Sequence, residues 1–120
     1  SKMVESGFME QFMVIGEGEK FPAAFVVPSY SNLLDWAKDF ARDITSLPKD
    51  AFLKSEKVHE KIMQEINRIN TNFGNWEQIK KISIIPEEFT IEGGELTPTL
   101  KMKRKKIIEK YSANYKELYG

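Results

Sequence analysis

Two short apolar runs, residues 12–15 and 23–27, bracket the polar stretch Gly16-Glu17-Gly18-Glu19-Lys20. Their β-branched and aromatic content predicts a β-hairpin over residues 11–28, ended by Pro28. The period then changes. Leu33, Trp36, Ala37, Phe40 and Ile44 recur at three- and four-residue steps, which predicts a helix over 29–43 with that stripe against a core. Ser31 or Asn32 is placed to cap it, and Asp35 to favour the positive end of its dipole. A connection over 45–54, broken at Pro48, carries Phe52 and Leu53 as a plug for the sheet surface. Val58, Ile62, Ile66, Ile69 and Phe73 then form a second helical stripe, with Lys57, Glu60, Lys61, Glu65 and Arg68 mainly outside it. Ser55 opens this helix and Gly74 closes it.

Ile82, Ile84 and Ile85 predict a third strand within 79–85, joining the hairpin and ended by Pro86. Residues 89–91 form a further short strand before Gly93-Gly94, and helices are expected over 104–111 and 113–119, the last docking through Tyr115, Leu118 and Tyr119. At the other end, Val4, Phe8 and Met9 read as the close of a short helix or turn. The expected fold class is α+β: one domain over residues 1–120, with a small, mostly antiparallel three-stranded sheet flanked by helices.

Composition changes this picture little. A chain of 120 residues, 41% hydrophobic and 30% charged, has the makeup of an ordinary globular domain. No run approaches the roughly twenty apolar residues that cross a bilayer, and no signal-peptide pattern opens the chain, so a cytoplasmic location is expected. With no cysteine there is no disulfide framework, thiol nucleophile or cysteine-built metal site. His59 is the one histidine. It lacks a nucleophile and carboxylate at useful spacing, and reads as a surface residue rather than a general base or zinc ligand. Trp36 is in register with Leu33 and Phe40 and reads as packing. Gly16-x-Gly18 lies between the two predicted strands with Glu17 and Glu19 beside it, carboxylates that would repel a phosphate, and reads as a turn. Glu87-Glu88, after Pro86, reads as solvation.

Charge changes it more. The formal net charge is zero, yet residues 101–110 hold six Lys or Arg against one Glu, so this decapeptide carries +5 and the rest −5. Such a run is commonly a solvated helix face. Here Thr97-Pro98-Thr99 precedes it, and proline disfavours helix both at its own position and at the one before. The first lysines therefore stand at a junction between loop and helix. One reading is a non-catalytic module whose Lys-rich patch touches RNA or an anionic membrane surface, although a zero net charge argues against a general nucleic-acid binder.

The segment ELTPTLKMKR before an apolar helix, with FMVIGEGEKFPAAFVVP upstream, resembles the C-terminal lid domain of long-chain fatty-acid–CoA ligases, members of the adenylate-forming superfamily. The resemblance covers nearly the whole chain. In that superfamily a loop of the form P-x-x-x-x-G-K carries a lysine into the site of adenylate formation. Gapless placement on Glu95, Leu96 and Thr99 puts that lysine on Lys103, with Lys101 as the rival. Met102 stands where the family usually has glycine, and Pro98 lies one place late, as in the long-chain branch. The resemblance implies a catalytic role for Lys103, with ATP, Mg2+ and CoA serving the full-length enzyme and none bound to this domain alone. It also implies an N-terminal AMP-binding domain outside this chain as partner, a long-chain fatty acid as substrate, and no nucleic acid. Peripheral association with the inner face of a membrane is the remaining option for location.

Overall fold

The computed structural model describes residues 2–72 and 78–120. Three strands, β1 (Met9–Ile15), β2 (Ala23–Pro28) and β3 (Lys81–Ile84), form one sheet in the order β1-β2-β3. β1 and β2 make the expected hairpin, with Phe12 opposite Val26 and Val14 opposite Ala24. Gly16 and Gly18 adopt φ of +106° and +80° in its turn, and the Glu19 N–H closes it on the Gly16 carbonyl at 2.9 Å. β3 enters parallel to β2, with Ala24 opposite Ile82. Antiparallel pairing is still the larger share, six residue pairs against four. The parallel pair has a simple cause: the chain leaves β2 and returns through a long helical crossover, which delivers a strand in the same direction.

That crossover comprises α2 (Tyr30–Phe40), a 3-10 turn (Arg42–Ile44), α3 (Lys49–Leu53) and α4 (Glu56–Asn72). Leu33, Ala37, Val58, Ile62 and Ile66 are fully buried against the sheet, and Phe52 and Leu53 plug the same core from α3. Each fully buried Leu or Ile of this kind is worth about 1.5–3 kcal/mol, so packing of the stripes dominates intrinsic propensity in holding both helices. A short α1 (Lys2–Glu5) adds Met3 to this core.

Details of the crossover differ from the sequence expectation. The cap of α2 is Ser29, whose Oγ accepts the Asn32 N–H at 3.4 Å, and not Ser31 or Asn32. Asn32 instead donates its side-chain amide to the Gly7 carbonyl at 2.6 Å. Asp35 lies beyond the first turn and faces Lys38 at 3.6 Å. Phe40, expected in the stripe, is 75% exposed, because α2 ends there and Ala41 and Ile44 take the inward positions. Ser55 does open α4, accepting the Val58 N–H at 3.4 Å. Glu65 is buried rather than outside, its carboxylate held by Arg68 at 2.5 Å and Lys61 at 3.8 Å. The expected roles of Phe73 and Gly74 lie outside the described residues.

The other side of the sheet carries α5 (Arg104–Lys110) and α6 (Ser112–Tyr119). Phe25, Ile85, Phe89, Ile107 and Leu118 make its core. Tyr119 donates to the Phe21 carbonyl and Tyr115 to Glu19, each at 2.8 Å, so α6 straps the hairpin turn. Burial and the Glu19 carboxylate push the Tyr115 phenol up to about 12, which keeps it a donor. Residues 89–91 do not form the expected strand: Phe89 is buried with its N–H on Gln11 Oε1 at 2.7 Å, and the chain then turns. Among the described residues no helix is long and apolar enough to cross a membrane.

Candidate functional site

The Lys-rich segment is held by its own backbone. Leu96 and Met102 form an isolated antiparallel bridge, flanked by Lys103 N–H to the Glu95 carbonyl and Thr97 N–H to the Lys101 carbonyl, both at 2.8 Å. A tight hairpin results, with Pro98 and Thr99 in the turn. The Thr97 hydroxyl adds a bond from the Lys101 N–H at 3.0 Å. At the tip, Leu100 has φ of +67°, the one positive value outside glycine among the described residues, and it is 66% exposed.

Side chains alternate across such a ladder. Leu96 is buried and Met102 packs against the core of its sheet face, which leaves Lys101 and Lys103 together on the outer side. Both are exposed. Their backbone settings differ. Lys103 is the N-cap residue of α5, its N–H bound to Glu95 and its carbonyl accepting the Ile107 N–H at 3.0 Å. It also borders a shallow cavity of about 480 Å3 with Gly93, Gly94, Glu95, Lys106 and Lys110, whereas Lys101 lies outside that cavity.

The six cations of this segment divide by use. Arg104 donates to the Val14 carbonyl at 2.6 Å and so ties the loop to β1. Lys110 pairs with Glu95 at 2.8 Å. Lys101, Lys103, Lys105 and Lys106 are exposed and have no ion-pair partner among the described residues. A cluster of unpaired ammonium groups is a ready partner for a polyanion, and a single one fixed by its backbone can be aimed at developing negative charge.

In the sequence Glu95 serves only as an anchor for placing the lysine. Its carboxylate is in fact buried beneath the loop, with a side-chain exposure of 4%. Oε1 accepts the Thr90 N–H at 3.0 Å and Oε2 the Lys110 ammonium. Burial pushes the Glu95 carboxyl up, but the Lys110 hydrogen bond, the Thr90 N–H and the Lys110 charge outweigh it and hold the group below its ordinary value. The same hydrogen bond raises the Lys110 ammonium. Nothing in the sequence marks this burial, since Lys110 lies fifteen residues away and the room beside Gly93 exists only in the folded turn.

The remaining candidates resolve simply. His59 is exposed on α4, with no side-chain hydrogen bond or ion pair among the described residues. Trp36 packs against the core, and Glu87 and Glu88 are exposed. Among the described residues no three His, Cys, Asp or Glu side chains converge on one point.

No family model matches the chain. Curated relatives do. It is 30% identical over 120 residues to long-chain-fatty-acid–CoA ligase 1 of Cavia porcellus, a match covering 98% of this chain and 17% of that protein. It is 35% identical over 112 residues to long-chain-fatty-acid–CoA ligase 5 of Mus musculus, covering 91% of this chain and 16% of the relative. The chain thus spans less than a fifth of the length of these relatives. Among solved structures, it matches the A-PCP didomain of a carboxylic acid reductase from Segniliparus rugosus in complex with AMP. There the TM-score is 0.72 at 22% identity, covering 98% of this chain and 14% of that one, a likeness of fold.

Proposed function

We propose, for a chain whose sequence relatives are long-chain fatty-acid–CoA ligases, that it is the C-terminal lid domain of such an enzyme and that Lys103 is its adenylation lysine. The parent enzyme joins a fatty acid to ATP, giving an acyl adenylate and pyrophosphate, and passes the acyl group to CoA. In the first step a carboxylate oxygen attacks the α-phosphate, two anionic groups that repel. An ammonium held beside both reduces that repulsion and stabilises charge as it shifts to the leaving pyrophosphate. The observation carrying this reading is Lys103 itself: exposed, unpaired, and fixed by backbone bonds on either side within ELTPTLKMKR.

The second step has less need of this lysine, because pyrophosphate has left. Turning the whole small domain would then withdraw Lys103 and present another face to CoA. Binding of the ATP phosphates, magnesium and the acyl chain is assigned to the larger N-terminal AMP-binding domain, the intramolecular partner of this one. The chain alone is expected to be inactive.

The test compares Lys103→Ala and Lys101→Ala in the complete ligase, assaying ATP-dependent adenylation separately from transfer out of preformed acyl adenylate. Lys103→Ala should lower adenylation by about a hundred- to a thousandfold and spare transfer, the usual cost of losing one such stabilising contact. Sensitivity at Lys101 instead would move the role by two residues. Full adenylation by both variants would reduce the segment to a solvated face.

A further inference from the structure

Beside the exposed lysines lies a buried carboxylate, Glu95, to which the proposed reaction assigns no part. We propose that Glu95 is a positioning residue for Lys103, its buried carboxylate clamping the turn at residues 90–95 to α5 so that the Lys103 backbone is delivered to one place. The inference rests on the reading of Lys103 above.

Three observations converge on it. Glu95 uses both carboxylate oxygens on different elements, Oε1 on the Thr90 N–H and Oε2 on Lys110 at the end of α5. Its own backbone completes the connection, since the Glu95 carbonyl accepts the Lys103 N–H at 2.8 Å. The carboxylate lies close over Gly93: a Cβ there would stand 2.5 Å from Oε2 and 2.6 Å from Oε1, and the carboxylate would have to shift. The turn is closed besides by Gly93 N–H to Thr90 Oγ1 at 2.9 Å and by Glu95 and Leu96 N–H to the Thr90 carbonyl at 3.2 and 3.1 Å.

A carboxylate this buried is costly unless every bond is made, and a misplacement of about 1 Å at a reacting group can cost about a hundredfold in rate. Loss of the clamp should therefore reach Lys103 and stop there. In the complete ligase, Glu95→Ala should lower adenylation by about ten- to a hundredfold and leave acyl transfer from preformed adenylate intact. Glu95→Gln, which keeps an acceptor for Thr90 N–H but loses the charge facing Lys110, should fall between Glu95→Ala and the unaltered enzyme. In a Lys103→Ala background, Glu95→Ala should cause no further loss.

A parallel fall of both half-reactions, or an additional loss in the Lys103→Ala background, would overturn the proposal in favour of a merely structural role. So would unchanged adenylation in Glu95→Ala while Lys103→Ala is impaired. Unimpaired Lys103→Ala would instead bring down the underlying reading, and this inference with it. If Glu95→Ala does not fold, Glu95→Gln and Lys110→Met, each with and without Lys103→Ala, provide the same comparison.

Discussion

The two faces of this sheet are covered by different means. β2 is buried at every position and serves both: Ala24 and Val26 face the helices of the crossover, while Ala23, Phe25 and Val27 face the Lys-rich loop, α5 and α6. On the first face, apolar stripes of amphipathic helices do the covering, and their contacts are non-directional. On the second, short helices and a turn close over a smaller apolar core and are held besides by directed bonds, such as Arg104 to Val14, Tyr119 to Phe21 and Thr90 to Glu95. The difference separates tasks. The first face has the larger apolar core, and the second adds the bonds that fix where the Lys-rich loop sits.

The sharpest way to break that division is to empty the first face. Ile62→Ala should cost about 2–5 kcal/mol, read as a lower urea midpoint with an unchanged m value. A loss below about 1 kcal/mol would show that the crossover helices are not the main source of stability.

On the second face the directed bonds should respond to pH. The Glu95 carboxyl lies below its ordinary value of 4.5, so its contribution is complete above that value and disappears as pH falls through the lower, folded one. Lys110 is raised above 10.5, so its share is complete below that value and lost as pH rises through the folded one. The stability gap between the unaltered chain and Glu95→Gln should be about 1–3 kcal/mol at neutral pH and should close in acid. A gap that persisted there would mean that the carboxylate's charge is irrelevant.

The smallest effect belongs to Phe40. Despite its place in the sequence stripe, Phe40→Ala should leave stability within about 0.5 kcal/mol, because the side chain is already in solvent.

These residues also show how far the sequence can be read. The stripes Val58, Ile62, Ile66 and Leu33, Ala37 disclose two helices and their buried sides, because periodicity reports a packing that recurs every turn. It does not report where a helix stops, and so it places Phe40 inward although Ala41 and Ile44 take that position. The three strands are legible from their apolar runs, but the direction of β3 comes from the crossover and not from the strand's own residues. Ser29 is hidden as a cap because three polar residues near the helix start compete for that role, and only backbone geometry decides. In the candidate site, proline and charge disclose the loop and its exposed lysines. They do not disclose the buried charges: Glu65 and Glu95 depend on partners that the fold supplies, three or four residues away on α4 in one case and fifteen in the other.

The ladder joining residues 95–97 to 101–103 also bears on time. With its N–H on Glu95, its carbonyl on Ile107, and the neighbouring Arg104 on β1, Lys103 has little backbone freedom of its own. Nanosecond loop motion is then too small to bring the ammonium in or take it out. On the proposed role of Lys103, its arrival and departure would follow motion of the whole body, in the microsecond-to-millisecond range of domain movements, and the clock of the lysine would be that of the domain.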